Sequence, residues 1–250
     1  MQGKRKRLTA EERKPQIMRS AIKALARSNY RTTSIAEIAH EAGITEPAVY
    51  RYFPTKKALF IAIIRDVGRR ILEIWEGLRD DATGPLVALG KIALDYYERA
   101  MTRRGDLKVL FQALSEVDDD EIREALRDQF SSYVTLLSEI YEEAKKEGLI
   151  RQEVDVHTSA WGFLSLGFTL NLVGLLQMES KLNRKRVTVL HEFLLRSLLA
   201  SRELEGGEGR LMGFSDSSGD ETDETEEAPT QESQARGERE HDLKPTTPGI

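Results

Sequence analysis

TSIAEIAHEAGITEPAVYRYFPTKKAL, residues 33–59, reads as two short helices joined by a tight turn. Ser34 followed by Glu37 is a capping box, in which the hydroxyl takes an orphan first-turn amide and the carboxylate reaches back to the cap. Ile35, Ile38, Ala39 and Ala42 recur at helical spacing, and Gly43 supplies the positive φ at which a helix stops and turns sharply. Thr45 stands ready to cap the next helix, Pro47 falls in its first turn where a missing amide costs nothing, and Ile44 with Val49 forms a hydrophobic staple. Pro54 and Thr55 announce another start, so this second helix is brief.

The short helix from Glu46 carries Tyr50, Arg51 and Tyr52, and Lys56 and Lys57 follow at the beginning of the next one. Aromatic and cationic side chains at that place suit phosphates and base edges. In a helix-turn-helix the second helix lies in the major groove while donors around it fix the register on phosphate. From spacing alone a second reading stays open: a plain helical hairpin, with Tyr50 and Phe53 as core and the lysines as a solvated face.

As an ordered set, Asn29 and Tyr30, Thr33 and Ser34, Ile38 and Ala39, Ala42 and Gly43, Tyr50 with Tyr52 and Phe53, and Lys56 resemble the N-terminal domain of TetR-type transcriptional regulators. The resemblance covers about residues 15–60 and implies an all-α chain. It implies an N-terminal three-helix DNA-binding domain with a helix-turn-helix, then a C-terminal helical ligand-binding and dimerisation domain. Carried onto this sequence, it assigns DNA contacts to Thr33, Ser34, Thr45, Glu46, Pro47, Ala48, Tyr50, Arg51, Tyr52 and Lys56. Three residues depart from the pattern. Asn29 stands where the turn usually has Gly, and Asn tolerates the left-handed conformation well enough to keep it. Ala36 sits where many relatives carry a long polar side chain, and Glu46 is an acid facing a polyanion, able to accept from cytosine N4 or to turn toward a neighbouring cation.

Charge is distributed unevenly. Residues 1–57 hold 13 Lys or Arg against 5 Asp or Glu, and residues 202–250 hold 5 against 14, within a net charge of -5. The cation excess coincides with the helix-turn-helix, as pairing with phosphate requires. The expected organisation is a flexible basic arm over residues 1–14, a DNA-binding domain over 15–57, a regulatory and dimerisation domain over 58–201 and a disordered acidic tail over 202–250. Lys4 to Arg7 read equally as a solvated end or as an arm following a groove. The tail has too few aliphatics to offset its ordering entropy, and it reads either as a solubilising segment or as a competitor for the basic face. The basic N-terminus has no apolar run after it and is not expected to be a secretory signal; zero Cys excludes disulfides and thiol chemistry and fits a cytoplasmic protein.

Apolar spacing predicts further helices over residues 15–28, 56–79, 86–103, 106–116 after a break at Gly105, and from the acids 118–121 to a stop at Gly148. No later stretch alternates with period two, so nine helices and no sheet are expected. Residues 156–178 hold no Asp, Glu, Lys or Arg until Met178, yet Ser159, Ser165, Thr169, Asn171 and Gln177 interrupt the run, so a buried helix is expected and not a membrane span. Val187, Leu190, Leu194 and Leu198 stripe the last helix. The resemblance implies that the last two helices form half of a four-helix dimer bundle, which assigns Leu190, Leu194 and Leu198 to a homodimer interface. It also implies that Tyr96, Tyr97, Phe111, Tyr133, Tyr141, Trp161 and Phe168 lie on helices lining a ligand cavity, although a plain core shows the same stripe; few fixed charges fall among them, so a small, largely apolar inducer such as an acyl chain or an aromatic drug is expected.

The expected function is therefore a homodimeric repressor, released from double-stranded palindromic operator DNA when such a ligand binds. A ligand-independent DNA-binding or partner-recruiting protein is the alternative. No enzyme is expected: His40, His157, His191 and His241 show neither metal-ligand spacing nor triad logic, and no cofactor is called for.

Overall fold

The computed structural model describes residues 9–200; the calls on Lys4 to Arg7 and on the acidic tail lie outside them. Among the described residues there are nine helices: α1 (Ala10–Arg27), α2 (Ile35–Ala42), α3 (Glu46–Tyr50), α4 (Lys56–Asp80), α5 (Pro85–Thr102), α6 (Arg104–Leu114), α7 (Asp120–Lys146), α8 (Val156–Leu176) and α9 (Arg184–Arg196). The one extended pairing among them is an isolated antiparallel bridge between Ile150 and Leu199.

Local chemistry sets most boundaries. Ser34 and Glu37 close their capping box, and Gly43 ends α2 at φ 65°. Thr55 accepts from the Ala58 amide to start α4, Asp119 from the Glu121 and Ile122 amides to start α7, and Gly148 follows α7 at φ 72°. Other boundaries correct the sequence reading. α1 begins at Ala10, five residues before Pro15, because Thr9 and Glu12 form a second capping box and the proline is carried inside the helix. Asn29 is not left-handed, since Gln177 is the one non-glycine residue with positive φ among those described. Its side chain makes the turn instead, Oδ1 accepting from the Thr32 amide three residues on at 3.0 Å. Gly105 is not the break between α5 and α6; it sits in the first turn of α6, where a Cβ would lie 3.5 Å from Ile22 and 3.8 Å from Ala26 of α1.

Helix α4 is shared by two apolar cores. Its first turns, Leu59, Phe60 and Ile63, pack with Ile17, Ala21 and Leu25 of α1, Ile38 of α2 and Val49 of α3, and Tyr30 stacks on Phe60 at 4.2 Å. Val109 and Ala113 of α6 and Ile122, Ala125 and Leu126 of α7 enter the same core. Farther along, Trp75 belongs to a second core with Leu89 and Ile92 of α5, Leu137 and Ile140 of α7 and Phe163 of α8. A third, smaller cluster joins Ala100, Leu107, Leu166, Leu170 and Val187, where α8 approaches α5 so closely that a Cβ at Gly174 would stand 2.4 Å from the Ala100 carbonyl oxygen. α8 is long and apolar enough to cross a membrane by composition, but half of that stretch is buried by its own chain.

His191 of α9 is 1% exposed, edge-on to Phe163 at 5.6 Å, and neither ring nitrogen has a partner. It is a core residue. Burial disfavours the imidazolium and pushes its pKa down to about 4. The unfolded chain takes a proton near pH 6.5 and the folded one does not until about pH 4, so stability is full above pH 6.5, falls between the two and levels off below. The loss is on the order of 3 kcal/mol. His191→Leu is expected to flatten this part of the stability–pH curve in urea melts at pH 7, 6, 5 and 4. An unchanged curve would assign the acid lability to other groups.

Candidate nucleic-acid interface and ligand cavity

The reading head presents the outer surface of α3. Thr45, Glu46, Pro47, Tyr50 and Arg51 are exposed, Tyr50 at 47%, while Val49 and Phe53 turn inward to the core. Ala48 and Tyr52 are half-buried, Tyr52 against that same core. Thr45 occupies the N-cap position of α3, yet its hydroxyl makes no capping bond, contrary to expectation; the residue is exposed and its carbonyl accepts from the Ala48 and Val49 amides. Ser34 is exposed but engaged: its hydroxyl and amide both meet the Glu37 carboxylate, whose pKa is held down by these bonds. Thr33 is 2% exposed, its hydroxyl unpartnered and enclosed, so the structure withdraws it from the DNA-facing set.

Lys56 has a different task from the one the sequence suggested. Its ammonium donates to the carbonyls of Tyr30 at 2.8 Å, Arg31 at 3.2 Å and Thr33 at 3.1 Å, and sits 4.9 Å from the Tyr30 ring centroid. All three of its N–H groups are thus used in tying the loop between α1 and α2 to the start of α4. Much of the head's positive charge is likewise paired. Arg27 meets Glu41 at 2.8 Å, Arg31 meets Glu116 at 2.8 Å, and Lys57 bridges Asp119 at 3.1 Å and Glu121 at 2.5 Å. Asp119 holds its carboxyl below the usual range first through Lys57. Arg51 makes no ion pair among the described residues and stands on the exposed side of α3, which leaves it as the guanidinium best placed to meet phosphate or a guanine edge. The missed signal was tertiary: the partners of Arg31 and Lys57 lie 85 and 62 residues away.

Below the head, α4, α5, α6, α7 and α8 surround a cavity of about 80 Å³, open in part to solvent. Of the seven aromatics assigned to it, Tyr96, Tyr133 and Phe168 line it. Tyr97 packs beside the third cluster, Phe111 is half-buried on α6 outside the cavity, Tyr141 is buried in the second core, and Trp161 is 54% exposed on the far side of α8. Trp75, Phe130 and Phe163 line it without having been foreseen, together with apolar Ile64, Val67 and Ile71. Its few polar groups are inward pairs: the Tyr96 hydroxyl donates to Asn171 at 3.1 Å and the Gln129 amide to the Tyr133 hydroxyl at 2.7 Å. Burial raises the Tyr96 and Tyr133 pKa values, so both are neutral phenols. Arg70, Arg99 and Arg103 also border the space, two of them restrained by Asp66 and Asp95.

The residues assigned to the dimer interface are half-buried by their own chain. Leu190 and Leu194 pack against the third cluster and Leu198, two residues beyond the end of α9, against the second core. On α8, α9 and the turn between them the large apolar side chains left in solvent are Trp161, Leu172, Leu176, Met178, Val189 and Phe193, the last 69% exposed.

Residues 17–63 match the family described as bacterial regulatory proteins, tetR family. The fatty acid metabolism regulator protein of Bacillus subtilis (strain 168) is 26% identical over 144 residues, 56% of this chain and 72% of that one. The HTH-type transcriptional regulator RutR of Escherichia coli (strain K12) is 33% identical over 91 residues, 35% of this chain and 40% of RutR. The transcriptional regulator FadR from Bacillus subtilis, solved in complex with stearoyl-CoA, superimposes with a TM-score of 0.57 at 19% identity, covering 74% of this chain and 97% of FadR, and so shares the fold.

Proposed function

We propose that this chain is a transcriptional regulator of the TetR type, a cytoplasmic homodimeric repressor that leaves a palindromic operator when an apolar ligand, with an acyl chain as the leading class, fills the cavity. The observation that carries this reading is the shared helix α4, which begins at the reading head with Lys56 and lines the cavity with Ile64, Val67 and Ile71. Recognition helices of a dimer must sit about 34–36 Å apart to enter successive major grooves. A tilt of α4 that suits a ligand therefore spoils the spacing that suits DNA, and the two affinities oppose each other through one coupling energy. The space is bounded mainly by aliphatic and aromatic side chains, which favours an apolar occupant, and Arg70, Arg99 and Arg103 suit an anionic head at its border. FadR, solved with stearoyl-CoA, and the fatty acid metabolism regulator of Bacillus subtilis support the same class. DNA contacts on this reading come from Thr45, Glu46, Pro47, Tyr50 and Arg51, with Ser34, Ala48 and Tyr52 supporting them and Lys56 holding the loop beside them.

Stearoyl-CoA and shorter acyl-CoA thioesters test the reading directly. At a hundredfold over its dissociation constant a true ligand adds about 2.7 kcal/mol, which raises the melting temperature by about 5–10 °C. The same ligand is expected to weaken binding to an operator taken from the inverted repeat nearest the gene. If no thioester moves the melting temperature and operator binding stays unchanged, the ligand-independent alternative takes its place.

A further inference from the structure

We propose that Asn171 of α8 donates a hydrogen bond from its side-chain nitrogen to a neutral carbonyl oxygen of the ligand, which in an acyl thioester is the thioester carbonyl. The inference rests on the reading that this cavity is the ligand site. Asn171 lines it and is 2% exposed, between Leu170 and Leu172. Its Oδ1 accepts from the Tyr96 hydroxyl at 3.1 Å, while its Nδ2 has no acceptor among the described residues. An amide nitrogen offers two N–H donors and no lone pair, and a buried donor without a partner is destabilising until something completes it.

Two other polar atoms of the wall are closed to an occupant. Trp75 Nε1 and Gln129 Oε1 are sealed in by protein, and Gln129 Oε1 lies beside Gly68, where a Cβ would come within 3.0 Å of it. Asn171 Nδ2 is not sealed in this way, and in a residue otherwise buried the surface it keeps belongs to the cavity. The amide is also held in orientation. Gly167, one turn before Asn171, lets the Tyr96 ring lie against α8, since a Cβ there would stand 3.3 Å from Tyr96 Cε1. The same ring meets Trp75 edge-on at 5.9 Å, so the hydroxyl that engages Oδ1 and turns Nδ2 away is itself fixed.

Ligand chemistry follows from a donor without a partner. A carbonyl oxygen accepts from it and brings neither a charge nor a proton into the enclosure. A carboxylate also accepts but is desolvated among aliphatic and aromatic side chains, and a hydroxyl accepts but carries a proton that needs a second acceptor. A methylene leaves the amide unmet, and a site with a buried polar group discriminates against an analogue lacking the matching group. Along α5 the lining runs from Ala93 through Tyr96 to Arg99 and Arg103, which is the order of tail, carbonyl and anionic head in an acyl thioester.

Octadecanoyl-CoA and its thioether counterpart, S-octadecyl-CoA, share tail and headgroup and differ only in the carbonyl oxygen. Calorimetry on the full-length protein is expected to show the thioester binding about tenfold tighter. With octadecanoyl-CoA isotope-labelled at the carbonyl carbon, difference infrared spectroscopy is expected to show the carbonyl stretch moving to lower wavenumber on binding. Asn171→Leu is expected to bring the two ligands to equal affinity and to abolish the shift. Asn171→Leu combined with Tyr96→Phe removes both partners of the internal bond and serves where the single variant misfolds. Equal binding of thioester and thioether to the parent protein, or a preference and shift that survive in these variants, overturns the assignment to Asn171 and leaves the acyl-ligand reading standing. Failure of both ligands to bind the parent protein overturns both.

Discussion

Leu176→Glu combined with Phe193→Glu is expected to convert the protein from dimer to monomer in sedimentation and to weaken operator binding by about 10²–10⁴-fold. The first effect follows from where the apolar surface is. On α8 the exposed positions Trp161, Ser165, Thr169, Leu172 and Leu176 follow one another at spacings of four, four, three and four, a single line along the helix, and Val189 and Phe193 of α9 are one turn apart. Large apolar side chains gathered on two helices mark an interface more than a free surface does. Two carboxylates placed there leave four unpaired charges in a twofold seam, each disfavoured by several kcal/mol. The second effect follows from avidity, because a monomer engages one half-site where the dimer engages two. Leu194→Glu makes the contrast. Leu194 packs on Ala100, Leu107, Leu166 and Leu170 within the chain, so its replacement is expected to lower the melting temperature and not simply to dissociate subunits. A double variant that sediments as a dimer would move the interface off these two helices.

The difference between the stripe read from sequence and the exposed face shows where local information ends. Val187, Leu190 and Leu194 do share a face of α9, but an apolar face records only that something covers it, and here the cover is the chain's own α5 and α8. α8 is apolar on all sides, so its sequence carries no orientation at all, and Trp161 could be placed neither at the cavity nor in the open by spacing. Elements fixed by neighbours in sequence were legible: the Ser34 and Glu37 box, the left-handed Gly43 and Gly148, the α4 start at Thr55 and Lys56, the number of helices. Thr9 with Glu12 was equally legible as a capping pair and was passed over in favour of Pro15. Cavity aromatics were legible only as a class, because five helices converge there and the rotation of each decides which ring faces in. Nothing in the spacing of Gln129 or Gly68 pairs them, since 61 residues separate two positions that touch.

Lys56 and Arg51 separate the two kinds of cation at the reading head, and their alanine variants are expected to fail in different ways. Arg51 is exposed and makes no ion pair among the described residues, so Arg51→Ala should leave the melting temperature unchanged, weaken operator binding and lower the slope of log affinity against log salt by about one. Tyr50→Ala, from the neighbouring exposed position, should weaken operator binding with little change in that slope, because a neutral ring releases no counterion. Lys56→Ala removes a charged donor from three carbonyls at once and uncovers the Tyr30 ring, so the loop into α2 loses its anchor. Stability should fall by about 2 kcal/mol, or about 4–8 °C in a thermal melt. Its loss of DNA affinity should be uniform across sequences and should fade when the assay is cooled and the loop re-forms. Circular dichroism melts paired with fluorescence anisotropy on operator and random duplex, at two salt concentrations, distinguish the cases. A Lys56→Ala protein that melts like the parent while its salt slope drops would return this ammonium to phosphate, because a side chain bonded to three backbone carbonyls cannot be removed without loosening the loop they belong to.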